Sequence, residues 1–122
     1  MQALQSRAVC LVLAASLGIV AGATMGQAYP VKPIKVIIPF APGTGPEQTV
    51  RHMQERFIKA TGQPLVIENK GGAGGNIGAD AVAKAAPDGY TILLHHIGMS
   101  TSPALYRTLQ YNPLNDFEYI GL

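Results

Sequence analysis

Three short apolar runs, separated by two segments with helical spacing, constrain residues 29–122 more than any other feature of this sequence. Ile34-Lys35-Val36-Ile37-Ile38-Pro39 reads as a strand. Val36, Ile37 and Ile38 are consecutive and β-branched, which suits a strand buried on both faces, and Pro39 and Pro42 end it. Leu65-Val66-Ile67-Glu68 reads as a second strand and Tyr90–His95 as a third. Between the first two, the spacing predicts a helix over Pro46–Thr61. Pro46 fits the first helical position, where no N–H is needed. Val50, Met53 and Phe57, with Ile58 beside Phe57, form one apolar face. Glu47–Arg51 and Glu55–Lys59 are i,i+4 pairs in the favourable order, and Gly62 supplies the residue just past the end. A second helix is expected over Ile77–Ala86, with Ile77, Ala81 and Ala85 on its inner face and Asp80–Lys84 on its outer face. Pro87-Asp88-Gly89 turns into the third strand. A short helix near Pro103–Leu109 and a fourth strand beginning at Tyr119–Leu122 complete the pattern. Strands alternating with helices make βαβ units, hence an α/β fold with a parallel sheet.

In such sheets ligands bind beyond the carboxyl ends of the strands. Here those ends are the loops 39–46, 70–76 and 95–102, which the topology sets side by side. The first, Phe40-Ala41-Pro42-Gly43-Thr44, leads into a helix start. There free N–H groups and the helix dipole favour an anion. The second repeats the device, with Gly74-Gly75-Asn76-Ile77 opening the next helix. Two helix starts facing one cleft would suit a carboxylate, although such glycines also serve simple strand-to-helix turns. The glycines match no Walker loop and no dinucleotide fingerprint, because no Gly-Lys-Ser/Thr occurs and Ile77 stands where G-x-G-x-x-G needs its last glycine. A nucleotide cofactor is therefore not expected.

His95-His96 is the one pair that hints at metal or acid–base chemistry. On a strand the two would point to opposite faces, which disfavours a shared metal. No Gly-x-Ser-x-Gly elbow activates a serine. The expectation is thus no metal and no enzyme, with His96 at the rim as a candidate ligand contact. Only 13% of residues are charged and the net charge is +2. The scattered Lys and Arg form no phosphate-tracking stripe, so nucleic acid is not expected as a partner. A hydrophobic content of 48% excludes an intrinsically disordered chain.

The start of the chain reads as an export signal. Arg7 is the sole charged residue of 1–28, the run Ala8–Val20 is apolar, and small residues lead to Gly26-Gln27-Ala28. That is the pattern of a cleaved secretory signal peptide, with cleavage expected after Ala28 and Ala23 as second choice. An uncleaved anchor is the competing reading, but the run falls short of the ~20 apolar residues of a span. Cys10, the single cysteine, would leave with the signal. Residues 29–122 would then be held together by packing alone.

The segments Tyr29-Pro30-Val31-Lys32-Pro33-Ile34, Pro39-Phe40-Ala41-Pro42-Gly43, Gly72-Ala73-Gly74-Gly75-Asn76-Ile77-Gly78, Ala86-Pro87-Asp88-Gly89-Tyr90-Thr91 and Pro103-Ala104-Leu105-Tyr106 carry a resemblance. Together they resemble the tripartite tricarboxylate transporter receptors, the Bug-type periplasmic solute-binding proteins. The resemblance implies the first-domain portion of a class II periplasmic-binding-protein fold that captures a small organic acid. It implies delivery of that acid to membrane transporter subunits. It also implies that Phe40, Ala41, Pro42, Gly43 and Thr44 form one ligand loop, and Gly74, Gly75, Asn76 and Ile77 the other. Contacts would be made mainly through backbone, so bulk added at Gly43 or Gly75 should matter more than truncation of Thr44 or Asn76. A substitution such as Gly75→Val is expected to abolish carboxylate binding with the fold retained. The chain departs from the usual family pattern at Gly43-Thr44-Gly45-Pro46-Glu47 and at His95-His96. Family members continue well past residue 122, so the chain is expected to be a truncated N-terminal part, residues 29–122 being part of domain 1 with the second domain absent. The alternatives are a non-binding remnant of such a receptor and, least favoured, an exported α/β enzyme.

Overall fold

The structure is a computed structural model that describes residues 28–121. Residues 1–27, which hold nearly all of the expected signal peptide, and Leu122 lie outside the described residues. Strand β1 (Ile34–Ile38) is followed by helix α1 (Gly45–Thr61), strand β2 (Leu65–Asn69), a 3₁₀ turn (Ala73–Gly75), helix α2 (Asn76–Ala83), strand β3 (Thr91–Leu93) and helix α3 (Gly98–Leu105). The sheet has three strands in the order β2-β1-β3, and both pairings are parallel, with Ile34 opposite Leu65 and Ile37 opposite Leu93. This is the α/β fold with parallel βαβ units that the alternating pattern implies.

β1 is central, and only Lys35 of its five residues is exposed. Ile34, Val36 and Ile38 share one face by the two-residue repeat of a strand, and they form the core with Val50 of α1 and Leu65 of β2. Phe57, Ile92 and Leu94 pack around them. Lys35 turns out to Glu68 on β2, at 3.3 Å.

α1 rotates differently from the expected face. Met53 and Ile58 are exposed. The inward stripe runs through Glu47 and Val50 to Gln54 and Phe57, again at helical spacing. Gln54 belongs inside because its side-chain amide donates to the Leu65 carbonyl, at 3.0 Å. Glu47–Arg51 forms as expected; Glu55–Lys59 is not among the ion pairs of the described residues. Helix α2 likewise buries Gly78 and Ala79 and leaves Ile77 outside, which allows the close approach described below. Asp80 and Lys84 pair on its outer side, at 2.7 Å.

Three elements differ from expectation. The third strand ends at Leu93 instead of His95, and the following helix spans Gly98–Leu105, ahead of the expected Pro103–Leu109. The helix starts early because His96 Nδ1 accepts the Gly98 N–H and the His96 carbonyl accepts the Met99 N–H. It stops where Tyr106 turns extended. Tyr119–Gly121 form no strand. Tyr119 instead donates its hydroxyl to the Pro113 carbonyl, at 2.7 Å, which turns the segment back on itself.

Candidate functional site

Loop 39–44 leaves β1 and enters α1, and Glu47 holds it from behind. The Glu47 side chain is only 4% exposed. Its Oε2 accepts the Gly43 N–H at 2.9 Å and the Asn69 amide at 3.4 Å, while Oε1 accepts Arg51 Nε at 2.8 Å. The same Asn69 amide donates to the Phe40 carbonyl, at 3.1 Å. Thr44-x-x-Glu47 has the spacing of a capping box, but Glu47 reaches past the Thr44 N–H to that of Gly43 and Thr44 makes no cap bond; the spacing alone reads Glu47 only as a partner of Arg51. Thr44 itself donates to the Ala41 carbonyl, at 3.0 Å. At the start of α1, therefore, an anion is already supplied by the chain.

The Gly43 N–H, followed by Arg51, holds the Glu47 carboxyl below its ordinary value of 4.5. A depressed folded-state pKa contributes stability that is complete above the unfolded value and is lost as pH falls through the folded one. Glu47→Gln should consequently lower the melting temperature at neutral pH. It should also flatten the fall of stability below pH 4.5. Circular-dichroism melts across the acid range check both expectations.

In loop 70–76, Gly74 and Gly75 are packed too tightly for a side chain. Gly75 has φ +99, and a Cβ there would lie 2.5 Å from His95 Nε2. At Gly74 it would lie 2.7 Å from the Tyr106 hydroxyl. The loop thus threads between loop three and α3. One turn on, a Cβ at Gly78 would meet Pro39 Cβ at 2.7 Å and the Lys70 carbonyl at 2.9 Å. That glycine seats α2 against the end of β1. Asn76 points inward: its Oδ1 accepts the hydroxyls of Ser102 and Tyr111, at 2.9 and 2.8 Å. It ties α2 to α3 and to the segment beyond.

The two histidines do not diverge as strand residues would, because β3 ends before them. Their rings meet edge-on with centroids 5.0 Å apart, and both contact Phe40. His95 Nδ1 accepts the His96 N–H, at 2.8 Å. Burial holds the His95 imidazole below its ordinary value of 6.5.

These loops and α3 border a cleft of about 690 Å³. Of the expected ligand residues, Phe40, Ala41, Gly74, Gly75 and His96 line it. Pro42, Gly43, Thr44, Asn76 and Ile77 stand outside its lining. Ile97, Thr101, Ser102, Leu105 and Tyr106 also line it. The first three fall in the expected strand-end loop 95–102 without being singled out as ligand contacts, and sequence reasoning misses Leu105 and Tyr106 because it expects the third helix at Pro103–Leu109. Among the described residues, no Lys or Arg side chain lines the cleft.

A cleft beyond the carboxyl ends of a parallel sheet is a common ligand position and names no ligand. Residues 49–122 match the family described as Tripartite tricarboxylate transporter family receptor. The chain belongs to this family. It is 48% identical over 97 residues to a UPF0065 protein of Agrobacterium vitis, covering 79% of this chain and 28% of that one. Among solved structures it is similar to the periplasmic binding protein BugD, with 50% identity and a TM-score of 0.69 over 76% of this chain and 31% of that one. It is also similar to MatC from Rhodopseudomonas palustris with bound malate, at 40% identity and a TM-score of 0.67 over 73% and 31% of the two chains. The chain spans about 30% of the length of these receptor-family proteins. The structural neighbours in the family are binding proteins.

Proposed function

We propose that this chain contributes the ligand-capturing rim of a periplasmic receptor for a small organic carboxylate, handed on to a tripartite tricarboxylate-type membrane transporter. Residues 29–122 are read as part of the first lobe of a two-lobed, hinge-closing protein, and residues 1–28 as a signal peptide removed after Ala28. The carrying observation is the convergence of three strand-end loops on one cleft in a chain whose fold matches a malate-bound relative. The periplasmic destination of BugD and the Arg7–Ala28 pattern support export. Among the described residues the Thr101 and Ser102 hydroxyls donate to Gly98 and Asn76 and not to a histidine, which favours a binding role over an enzymatic one.

Hinged receptors bind with groups from both lobes and close over the ligand. Here Ile97 and Leu105, both on the cleft wall, are 80% and 73% exposed, so one side of the cleft faces solvent. An exposed helix start contributes ~0.3–1 kcal/mol to holding an anion, whereas micromolar affinity needs about 8 kcal/mol. Calorimetry of the chain with malate should therefore give a dissociation constant in the millimolar range. A micromolar constant for the folded monomer would contradict the need for a second lobe.

A further inference from the structure

We propose that His96 is the specificity-determining side chain of the cleft, presenting an Nε2–H donor to an acceptor oxygen of the ligand. This inference rests on the reading of the cleft as a carboxylate site and assigns the role of one residue within it. The ring is fixed from three sides. Its Nδ1 accepts the Gly98 N–H at 2.6 Å. Its face stacks on Phe40, with centroids 4.6 Å apart and planes 21° from parallel. Its Cε1 would lie 2.3 Å from a Cβ at position 98, so only glycine there lets the ring sit so close to the backbone.

The chemistry follows from the first contact. An imidazole nitrogen that accepts a backbone N–H carries no proton, so the neutral ring must carry its proton on Nε2. That nitrogen makes no hydrogen bond among the described residues. In a cleft lined by no Lys or Arg of the described residues, it is an oriented side-chain donor whose ring is already ordered and needs no further ordering to bind. His95 does not compete for this role, because its Nε2 is buried against Gly75. The groups packed on His96 are Phe40, His95 and Gly98, none of them acidic, so no carboxylate is at hand to satisfy the donor. The ligand class this selects has a carboxylate or hydroxy-acid oxygen within reach of the Phe40–His96 pair.

The test is an NMR titration of the chain with malate at constant ionic strength, following the side-chain nitrogens of His96. The free chain should show a protonated Nε2 and an unprotonated Nδ1, and malate should shift the Nε2 signal while Nδ1 keeps its signature. His96→Phe keeps a flat ring on Phe40 and removes the donor; it should weaken malate about tenfold. His96→Gln restores an N–H donor and should recover part of that loss. If malate shifts the loop 74–77 amides but leaves His96 Nε2 unmoved, and His96→Phe binds as well as wild type, the role of His96 is wrong and the carboxylate reading stands. If malate shifts no cleft residue at all, the carboxylate reading itself fails. An Nδ1-protonated ring in the free chain would overturn the tautomer on which the proposal depends.

Discussion

Gly75→Val is expected to remove about 2–5 kcal/mol of stability, a large part of what a small domain possesses. Two penalties add. A residue with a Cβ at φ +99 pays roughly 1–2 kcal/mol for left-handed backbone. Filling a space already held by His95 Nε2 and Cε1, at 2.5 and 2.9 Å, costs about 1–3 kcal/mol more. The sequence-based expectation that valine here spares the fold does not survive this contact. Gly43→Val is the matched control, because φ is +83 there and nothing lies within 4 Å of the added atom; only the backbone penalty should appear. Denaturant melts of both variants measure the difference. Equal losses would show that the His95 contact carries no cost.

Asn76→Ala should cost about 2–3 kcal/mol, mainly by orphaning a buried hydroxyl. Tyr111 is 6% exposed and its hydroxyl donates to Asn76 Oδ1. Ser102 suffers less, since its hydroxyl also reaches the Gly98 carbonyl at 2.7 Å. Tyr111→Phe should accordingly cost little in the Asn76→Ala background and distinctly more alone, a non-additivity that urea titrations of the four forms resolve. Additive losses would contradict a shared hydrogen bond. Truncation at Asn76 thus acts on stability through the α2–α3 junction, whatever it does to a ligand.

These cases show where the sequence was legible. β1 and α1 were readable because Val36-Ile37-Ile38 and the run from Pro46 to Gly62 satisfy local rules at nearly every position. The family resemblance rested on turn and loop motifs whose glycines are geometrically obligatory, and it was sound. What escaped was set by contacts distant in sequence. Gln54 takes an inward place that apolar spacing assigns to Met53, because a free Leu65 carbonyl awaits it. Glu47 is buried by the loop it caps. His95 and His96 were read on a strand, yet β1 offers its partner only as far as Leu93 in register, and the next residues coil into α3. That single slip displaced the third helix and kept Leu105 and Tyr106 off the expected cleft wall.

The most direct measurement is the map of backbone amide shifts when malate is added to the isotopically labelled chain. The cleft reading expects shifts concentrated at Phe40 and Ala41, at Gly74 and Gly75, and at His96–Gly98, fast in exchange and growing into the millimolar range. Amides of β2 and of the outer face of α1 should stay still. Shifts confined to the Leu109–Leu114 segment, or an unchanged spectrum at tens of millimolar malate with the fold intact, would contradict the assignment of this rim as a carboxylate site.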